Sequence, residues 1–345
     1  ALDLVLVFNG TIYNYPQLRE QLQAKGYRFF SGGDSEVILK AYAEWGDDCP
    51  KYLQGVFAFA VWDVSKQRLF LARDRFGVKP LYYSITSRGV RFASTSQALI
   101  AAGGVDDGID PVALHHHLTL HAVVPAPRTL LRGLRKMRPA HSLAFSLQGK
   151  RELQRYWQLD ASPCRERRSE WEWIEATHEA LKNAVDRRSL IADVPGGVLL
   201  SGGLDSSLLV ALLAEAGNSD IVTFSVGFED EPEESGNEFE YSDLVADLYG
   251  TRHHRFTIPN SEVLARLPEA VDNMAEPMVG QDAVAFYLLG ERVSREVKVV
   301  QSGQGADEVF AGYFWYQQMQ EAAGSDIEPF PGANLDMESL EFTGI

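Results

Sequence analysis

Cysteine is almost absent: Cys49 and Cys164, far apart, are the only two in 345 residues. That excludes a disulfide framework and a cysteine-based metal cluster, and it fits a reducing cytosol, so a cytoplasmic location is expected. No apolar run approaches the length of a membrane span and no signal peptide is visible, so no membrane partner is expected. Basic residues are outnumbered, 32 Lys and Arg against 48 Asp and Glu, for a net charge of −16. That balance argues against nucleic acid as a partner, because such binding works through phosphate neutralisation. A small anion stays open as a ligand, since helix ends and metal ions supply local positive potential. The Gly-Lys-Ser/Thr ending of a P-loop is missing, and so is G-x-G-x-x-G. An initiator Met is missing too: the chain opens at Ala1, just before a run that reads as a strand, and is expected to be a fragment.

With 45% hydrophobic and 23% charged residues, the chain has the composition of a globular protein, long enough for two domains. The stretch around which it is organised is Gly197-Val198-Leu199-Leu200-Ser201-Gly202-Gly203-Leu204-Asp205-Ser206-Ser207. Val198–Leu200 reads as a buried strand, Ser201–Gly203 as a turn, and Leu204, Leu208, Leu209 and Leu212 as one face of a helix. Strand, glycine turn and helix start aim free N–H groups and a positive dipole end at an anion. Ser201, Ser206 and Ser207 add hydroxyls, and Asp205 can hold a divalent cation against a phosphate.

A second stretch, Ser302-Gly303-Gln304-Gly305-Ala306-Asp307-Glu308, repeats this logic of strand, glycine turn, acid and helix start. Between the two, strands at 221–226, 254–258 and 298–301 alternate with helices at 241–249, 262–273 and 284–295, which implies a parallel sheet flanked by helices. Ligands of such sheets lie beyond the carboxyl ends of the strands, so Ser201–Asp205, Val226-Gly227 and Ser302-Gly303 should surround one crevice. Asp205 and Asp307 would repel a phosphate cluster unless Mg²⁺ lay between. His253 and His254 alternate along a strand, so a shared metal is not expected.

The first part of the chain reads differently. Strands at 4–8, 56–62, 69–72 and 91–93 follow one another closely, with helices from about Pro16 to Gly26 and from Asp34, read as an N-cap, to Gly46. This is the pattern of antiparallel sheets in a layered α+β domain. Asp110 opens a helix bearing His115, His116 and His117, whose side chains diverge and make a poor metal site. Ser169-Glu170-Trp171-Glu172 is a capping box that starts a helix with Ile174, Thr177, Leu181, Ala184 and Val185 along one side.

Phe8-Asn9-Gly10-Thr11-Ile12-Tyr13-Asn14, Gly33-Asp34-Ser35-Glu36-Val37-Ile38 and Ala72-Arg73-Asp74-Arg75-Phe76-Gly77-Val78-Lys79-Pro80-Leu81-Tyr82-Tyr83 resemble the class II glutamine amidotransferase domain, an Ntn-hydrolase-like fold. The resemblance implies an oxyanion hole at Asn9 and Gly10 and glutamine binding by Asn9, Gly10, Thr11 and Asp34, with Thr11 standing where the family often has Glu. The family's leading Cys and the Arg segment that grips the glutamine carboxylate have no counterpart, and neither Cys49 nor Cys164 is placed to substitute, so the chain as given is not expected to hydrolyse glutamine. The S-G-G-x-D-S stretch is similar to the pyrophosphate loop of ATP pyrophosphatases, an α/β fold of the adenine-nucleotide α-hydrolase type.

Both halves together resemble the glutamine-hydrolysing asparagine synthetase family, in which ammonia from glutamine displaces AMP from an acyl-adenylate to give an amide. The resemblance implies ATP and Mg²⁺ as cofactors, ATP contacts at Leu200, Ser201, Gly202, Gly203, Asp205, Ser206, Val226, Ser302 and Gly303, and metal ligation by Asp205 and Asp307. The acceptor region is Gln281, Asp282 and Gln304; here Gln304 stands where the family commonly has Glu, and Met278–Val284 replaces a Ser-rich stretch. These departures look more like the N-acetylglutaminylglutamine amidotransferases, which amidate a blocked glutamine dipeptide. The expected partners are therefore glutamine and a small carboxylate or dipeptide acceptor; oligomeric state is not readable, and a homodimer stays open.

The expected organisation is an amidotransferase domain over 1–125, a connection over 126–168, a synthetase domain over 169–320 and an unmatched acidic tail over 321–345, which has no Lys or Arg. Three readings compete. The first is an ATP-dependent amide ligase, making asparagine if not the dipeptide amide. The second is a tRNA-directed ATP pyrophosphatase, which would need a basic surface and catalytic cysteines. The third is an inactive relative that only binds nucleotide.

Overall fold

The computed structural model describes residues 2–160, 162, 166–189, 196–229, 239–278 and 282–322. Its elements run β1 (Leu4–Ile12), α1 (Tyr15–Ala24), α2 (Asp34–Trp45), α3 (Cys49–Tyr52), β2 (Gly55–Asp63), β3 (Arg68–Arg73), β4 (Tyr82–Thr86), β5 (Gly89–Ala93), α4 (Ser96–Ala101), α5 (Pro111–Thr119), β6 (Arg135–Lys136), β7 (His141–Ser146), β8 (Arg151–Arg155) and α6 (Glu170–Ser189). After these come β9 (Gly196–Leu199), α7 (Leu204–Glu215), β10 (Val222–Phe228), α8 (Phe239–Tyr249), β11 (Arg252–Ile258), α9 (Asn260–Asn273), α10 (Asp282–Val293), β12 (Val299–Gln301), α11 (Ala306–Phe310) and α12 (Phe314–Ala322). Two compact units divide the chain: residues 1–191 with 261–290, and residues 192–260 with 291–345.

In the first unit, β1-β2-β3-β7-β8 form an antiparallel sheet and β5-β4-β6 a second one. The stretch read from sequence as a connection thus contributes three strands, β6, β7 and β8. The composition of β2, Gly-Val-Phe-Ala-Phe-Ala-Val-Trp-Asp, explains the layering. Successive strand residues face opposite sides. Phe57, Phe59 and Val61 pack with Leu18, Leu22, Val37, Ile38 and Tyr42 of α1 and α2, while Ala58 and Ala60 pack with Leu81, Met137, Leu143 and Phe145. Alanines on that face let the second sheet approach closely. Beyond it, Tyr82, Leu99 of α4 and Leu134 enclose Ala275. The order is helices, sheet, sheet, helix, the layered α+β arrangement expected.

Arg73 and Asp74 lock the loop after β3 from both sides. The buried Asp74 carboxylate accepts from the N–H groups of Phe57 (3.1 Å), Phe76 (3.1 Å), Val78 (2.9 Å) and Lys79 (2.9 Å). The Arg73 guanidinium donates to the carbonyls of Lys79 (2.8 Å), Met137 (2.6 Å) and Gly77 (2.6 Å). A buried carboxylate holding several N–H groups satisfies donors that would otherwise lie unpaired. Residues 274–276 are tied to the same unit: Glu276 accepts from Lys136 through both oxygens (2.9 Å each) and from the Tyr82 hydroxyl (2.9 Å).

The second unit holds a four-stranded sheet in the order β11-β10-β9-β12, with every pairing parallel. The strand and helix alternation read from the sequence is therefore realised as the parallel sheet it implied. Two helix faces differ from expectation. In α7, Ser206, Val210, Leu212 and Leu213 are buried while Leu204 is 82% exposed. Ser206 is drawn inward by its hydrogen bonds to the turn, and Leu204 and Leu208 turn outward while Leu212 of the same stripe stays buried. In α6 only Val185 is buried and Ile174 is exposed, although the capping box forms as expected: the Glu172 carboxylate accepts from Ser169 N–H (2.7 Å) and Ser169 Oγ from Glu172 N–H (3.3 Å). Among the described residues no helix is long and apolar enough to cross a membrane.

Replacing Asp74 by Ala leaves four backbone donors near the β2 end unpaired. A loss of about 3–5 kcal/mol is expected from hydrogen bonds to a buried charge, read as a lower urea midpoint for the first unit, with Asp74→Asn losing less.

Candidate functional site

Two places in the structure carry the residues singled out by the sequence, one in each unit.

In the first unit, Asn9, Gly10 and Thr11 lie at the end of β1, paired with Ala58, Phe57 and Val56. Gly10 is required there: its φ is +148°, and a Cβ would stand 2.1 Å from the Val56 carbonyl oxygen. Asp34 is the first residue of α2 rather than its cap, which is Gly33. Its carboxylate turns instead to β1 and accepts from Ile12 N–H at 3.1 Å. This contact brings all four predicted residues to one corner of the sheet.

The turn that presents Asp34 is held by Glu36. This buried carboxylate accepts from the N–H groups of Phe30 (3.1 Å) and Ser31 (2.8 Å), from Ser31 Oγ (2.7 Å) and from Lys40 Nζ. Burial alone would raise the Glu36 carboxyl, but Lys40, Ser31 and the N–H donors outweigh it and hold it down at about 2. Cys49 is fully buried, and its thiol is pushed well up by that burial and then by Asp47 and Asp48, so it is no nucleophile. Cys164 lies outside the described residues. The three histidines of α5 diverge: His116 is buried, His115 exposed.

In the second unit, β9 is flanked directly by β10 and β12. The chain leaves β9 toward β10 and later returns to β12 on the other side, so the order reverses between β9 and β12, where open parallel sheets form a crevice. The turn after β9 is closed by its own serines. Ser201 Oγ accepts from Gly203 N–H (3.2 Å) and meets Ser206 Oγ (3.1 Å), and the Ser206 and Ser207 hydroxyls donate to the Gly203 carbonyl (3.2 and 2.7 Å). Gly202, with φ +87°, lies so close to α8 that a Cβ would stand 2.5 Å from Tyr241 Cβ. The first-turn N–H groups of α7, on Leu204, Asp205 and Ser206, have no partner within the helix.

The second turn lies against the first. A Cβ on Gly303 would stand 2.9 Å from Asp205 Cβ and 3.0 Å from Ser206 N. Ser302 Oγ accepts from Gln304 N–H (3.1 Å), and Gln304 is exposed. Asp307 opens α11 beside Gly312, whose N–H donates to the Asp307 carbonyl (3.0 Å). Leu200 is buried, and its N–H donates to the Phe224 carbonyl (2.8 Å); Val226, half-buried, follows two residues on. Gln281 lies outside the described residues, as does the side chain of Asp282, which starts α10. The tail from 323 onward also lies outside them.

Residues 1–157 match the glutamine amidotransferase domain model, and residues 176–337 match the asparagine synthase model. The chain belongs to the family that joins these two domains. Asparagine synthetase [glutamine-hydrolyzing] 3 of Bacillus subtilis is similar to it, 32% identical over 335 residues that cover 92% of this chain and 53% of that protein. A putative asparagine synthetase [glutamine-hydrolyzing] of Mycobacterium bovis is 37% identical over 336 residues, covering 95% and 50%. The chain thus spans about half the length of the curated relatives it matches.

Sequence reasoning in this family setting missed the residues behind the motifs. Glu36 and Asp74 lie inside the quoted stretches, yet nothing local marks them as buried hubs. Thr223 and Ser225 gave a usable signal, being polar residues two apart on the otherwise apolar strand β10, and His253 lies beside them on β11.

The depressed Glu36 carboxyl fixes a pH dependence. Its stabilisation is complete above the unfolded value of about 4.3 and is lost as pH falls through about 2. Thermal unfolding followed from pH 6 to 2 should therefore show a fall in melting temperature of the first unit that is shallower in Glu36→Gln, which starts lower at pH 6.

Proposed function

We propose that the protein carrying this chain is a glutamine-dependent amide ligase that activates a carboxylate with ATP. The observation that carries this reading is the contact between the two acidic turns, Gly303 against Asp205 and Ser206, at the point where the strand order reverses. The first-turn N–H groups of α7 would then offer donors to one polyphosphate lying between the turns. The substrate carboxylate oxygen attacks the α-phosphorus, pyrophosphate leaves, and the acyl group becomes a mixed anhydride with AMP. Ammonia adds to the acyl carbon through its lone pair, the C–O bond to AMP breaks with its electrons on AMP, and the extra proton passes to solvent or a base.

Magnesium fits the donor set, because this ion is commonly held by one or two carboxylates plus substrate phosphates. Asp205 and Asp307 would be those carboxylates. The ion supplies charge neutralisation to the leaving pyrophosphate. Ser201 and Ser206 keep the first turn closed around its free N–H groups. In the first unit, Asn9 and Gly10 would stabilise the oxyanion formed on glutamine, and Asp34 and Thr11 would hold its other end. We place this chemistry in the cytoplasm, where ATP and glutamine are supplied.

For the acceptor, we propose the carboxyl end of an acetylated glutamine dipeptide. Gln304 supports this: its neutral amide cannot take a proton and can pair with amide groups, whereas a Glu there would favour a cationic amine such as that of aspartate. Aspartate is the second reading, favoured by the names of the two asparagine synthetases above. A further relative, amidase chyE of Penicillium rubens, is 30% identical over 324 residues, so relatives of this degree of similarity do not share one name.

ATP–pyrophosphate exchange decides between these. Exchange stimulated by acetylated glutamine dipeptide and not by aspartate is expected, and the reverse pattern refutes the acceptor assignment. Asp205→Asn should lower exchange at least ~100-fold, the scale of losing a group that stabilises developing charge. Gly303→Val, which forces the second turn off Asp205, should do the same with little change in thermal stability.

A further inference from the structure

Behind the first turn, on the face of the sheet toward α8, lies a line of buried polar side chains that no catalytic step above uses. Thr223 and Ser225 of β10 are buried, and His253 of β11 lies beside them with its side chain 10% exposed. Thr223 Oγ1 is 2.8 Å from Thr251 Oγ1 and 2.8 Å from His253 Nδ1. Ser225 Oγ is 3.4 Å from His253 Nε2 and donates to the Leu200 carbonyl. His254 points to the opposite face and stacks on Phe224. Charged groups near His253 come from two elements: Asp243, 3.7 Å from Nε2, and Asp247 on α8, and Arg255 on β11.

The hydrogens on this line can be assigned by elimination. A carbonyl only accepts, so the single Ser225 hydrogen is committed to Leu200. Ser225 Oγ can then meet the ring only as an acceptor, and Nε2 must carry a proton. Burial lowers the ring's pKa, which favours the neutral imidazole, so Nδ1 is an acceptor. Thr223 therefore donates to Nδ1, and Thr251 donates to Thr223. The line runs one way, from Thr251 through Thr223, His253 and Ser225 to the carbonyl of the last residue before the Ser201–Gly203 turn. α8 supports it from both sides, since Tyr241 contacts Gly202 and Asp243 binds Arg255 (2.9 Å) next to the ring.

We propose that His253, as its Nε2–H tautomer, is a positioning residue for the nucleotide-binding turn, acting through Ser225 on the Leu200 carbonyl. This rests on the reading of that turn as a nucleotide site, but the effect on the turn itself does not. Fixing the carbonyl fixes the plane of the Leu200–Ser201 peptide, and with it the direction in which the turn's N–H groups point.

Hydrogen–deuterium exchange over residues 200–207 and titration with magnesium ATP test it in wild type, His253→Leu, His253→Gln and Ser225→Ala. The Leu and Ala variants should exchange faster in this segment and bind magnesium ATP about tenfold more weakly, the scale of one lost hydrogen bond. His253→Gln, whose amide can still donate to Ser225, should restore both to within about threefold of wild type. Unchanged exchange in His253→Leu overturns the proposal, and so does equal damage in Leu and Gln, which would indicate packing alone. Should the variants fail to fold, ¹⁵N spectra of the wild-type ring decide: an Nδ1–H or cationic ring at neutral pH overturns it. Wild type that ignores magnesium ATP refutes the nucleotide reading, while the exchange data still judge the hydrogen-bonded line.

Discussion

A parallel sheet gives its neighbouring strands the same direction, so their following loops all emerge at one edge. Consecutive strands placed side by side send their connections to one side and leave no gap. Only where the order reverses do two adjacent loops part and open a crevice. In the second unit that place is the boundary of β9 and β12, which lie far apart in sequence yet pair directly. The two acidic turns follow those two strands. Their contact is a consequence of strand order, and every chemical statement about the second unit depends on it.

The first unit solves a different problem. Its strand β2 is buried on both faces, and the sequence of β2 alternates large aromatics with alanine to suit helices on one side and a sheet on the other. Such packing leaves little tolerance for loops of loose geometry. The Arg73–Asp74 pair and the Glu36–Lys40 pair answer this by gathering backbone groups around buried charge. Asp74 reaches Phe57, the register partner of Gly10, and Glu36 holds the turn before Asp34. Two of the residues expected to touch glutamine, Gly10 and Asp34, are thus one step removed from a buried carboxylate.

Much of this was legible in the sequence because it is local. The strand, turn and helix of residues 196–215 follow from an apolar run, two glycines and a helical repeat, and the capping box at Ser169 formed as read. Strands β7 and β8 escaped notice because β7 joins the sheet through a long-range pairing with β3, and the mostly polar β8 is held only by its pairing with β7. The leucine face of α7 was misjudged for a related reason: periodicity gives a stripe, but the hydrogen bonds of Ser206 decide which way the helix is turned. Asp34 looked like a cap, since Asp before an apolar repeat commonly is one, and β1 competed for its carboxylate with an unpaired N–H.

A net charge of −16 is at odds with the proposed polyphosphate site only at long range. Long-range charge is screened within about 8–10 Å at physiological salt, whereas N–H groups at a helix start act at contact distance. The serine hydroxyls of the first turn spend their hydrogens on one another and on Gly203 and take up the N–H groups of Ser201 and Gly203, so they build the cradle while the first-turn N–H groups of α7 have no partner within the helix. On the proposed function, Asp205 and Asp307 would add negative charge where a bare anion is repelled, and anion binding at this crevice would be conditional on a cation. An acidic protein with acidic turns would in that sense be selective, rejecting free phosphate and accepting the metal complex.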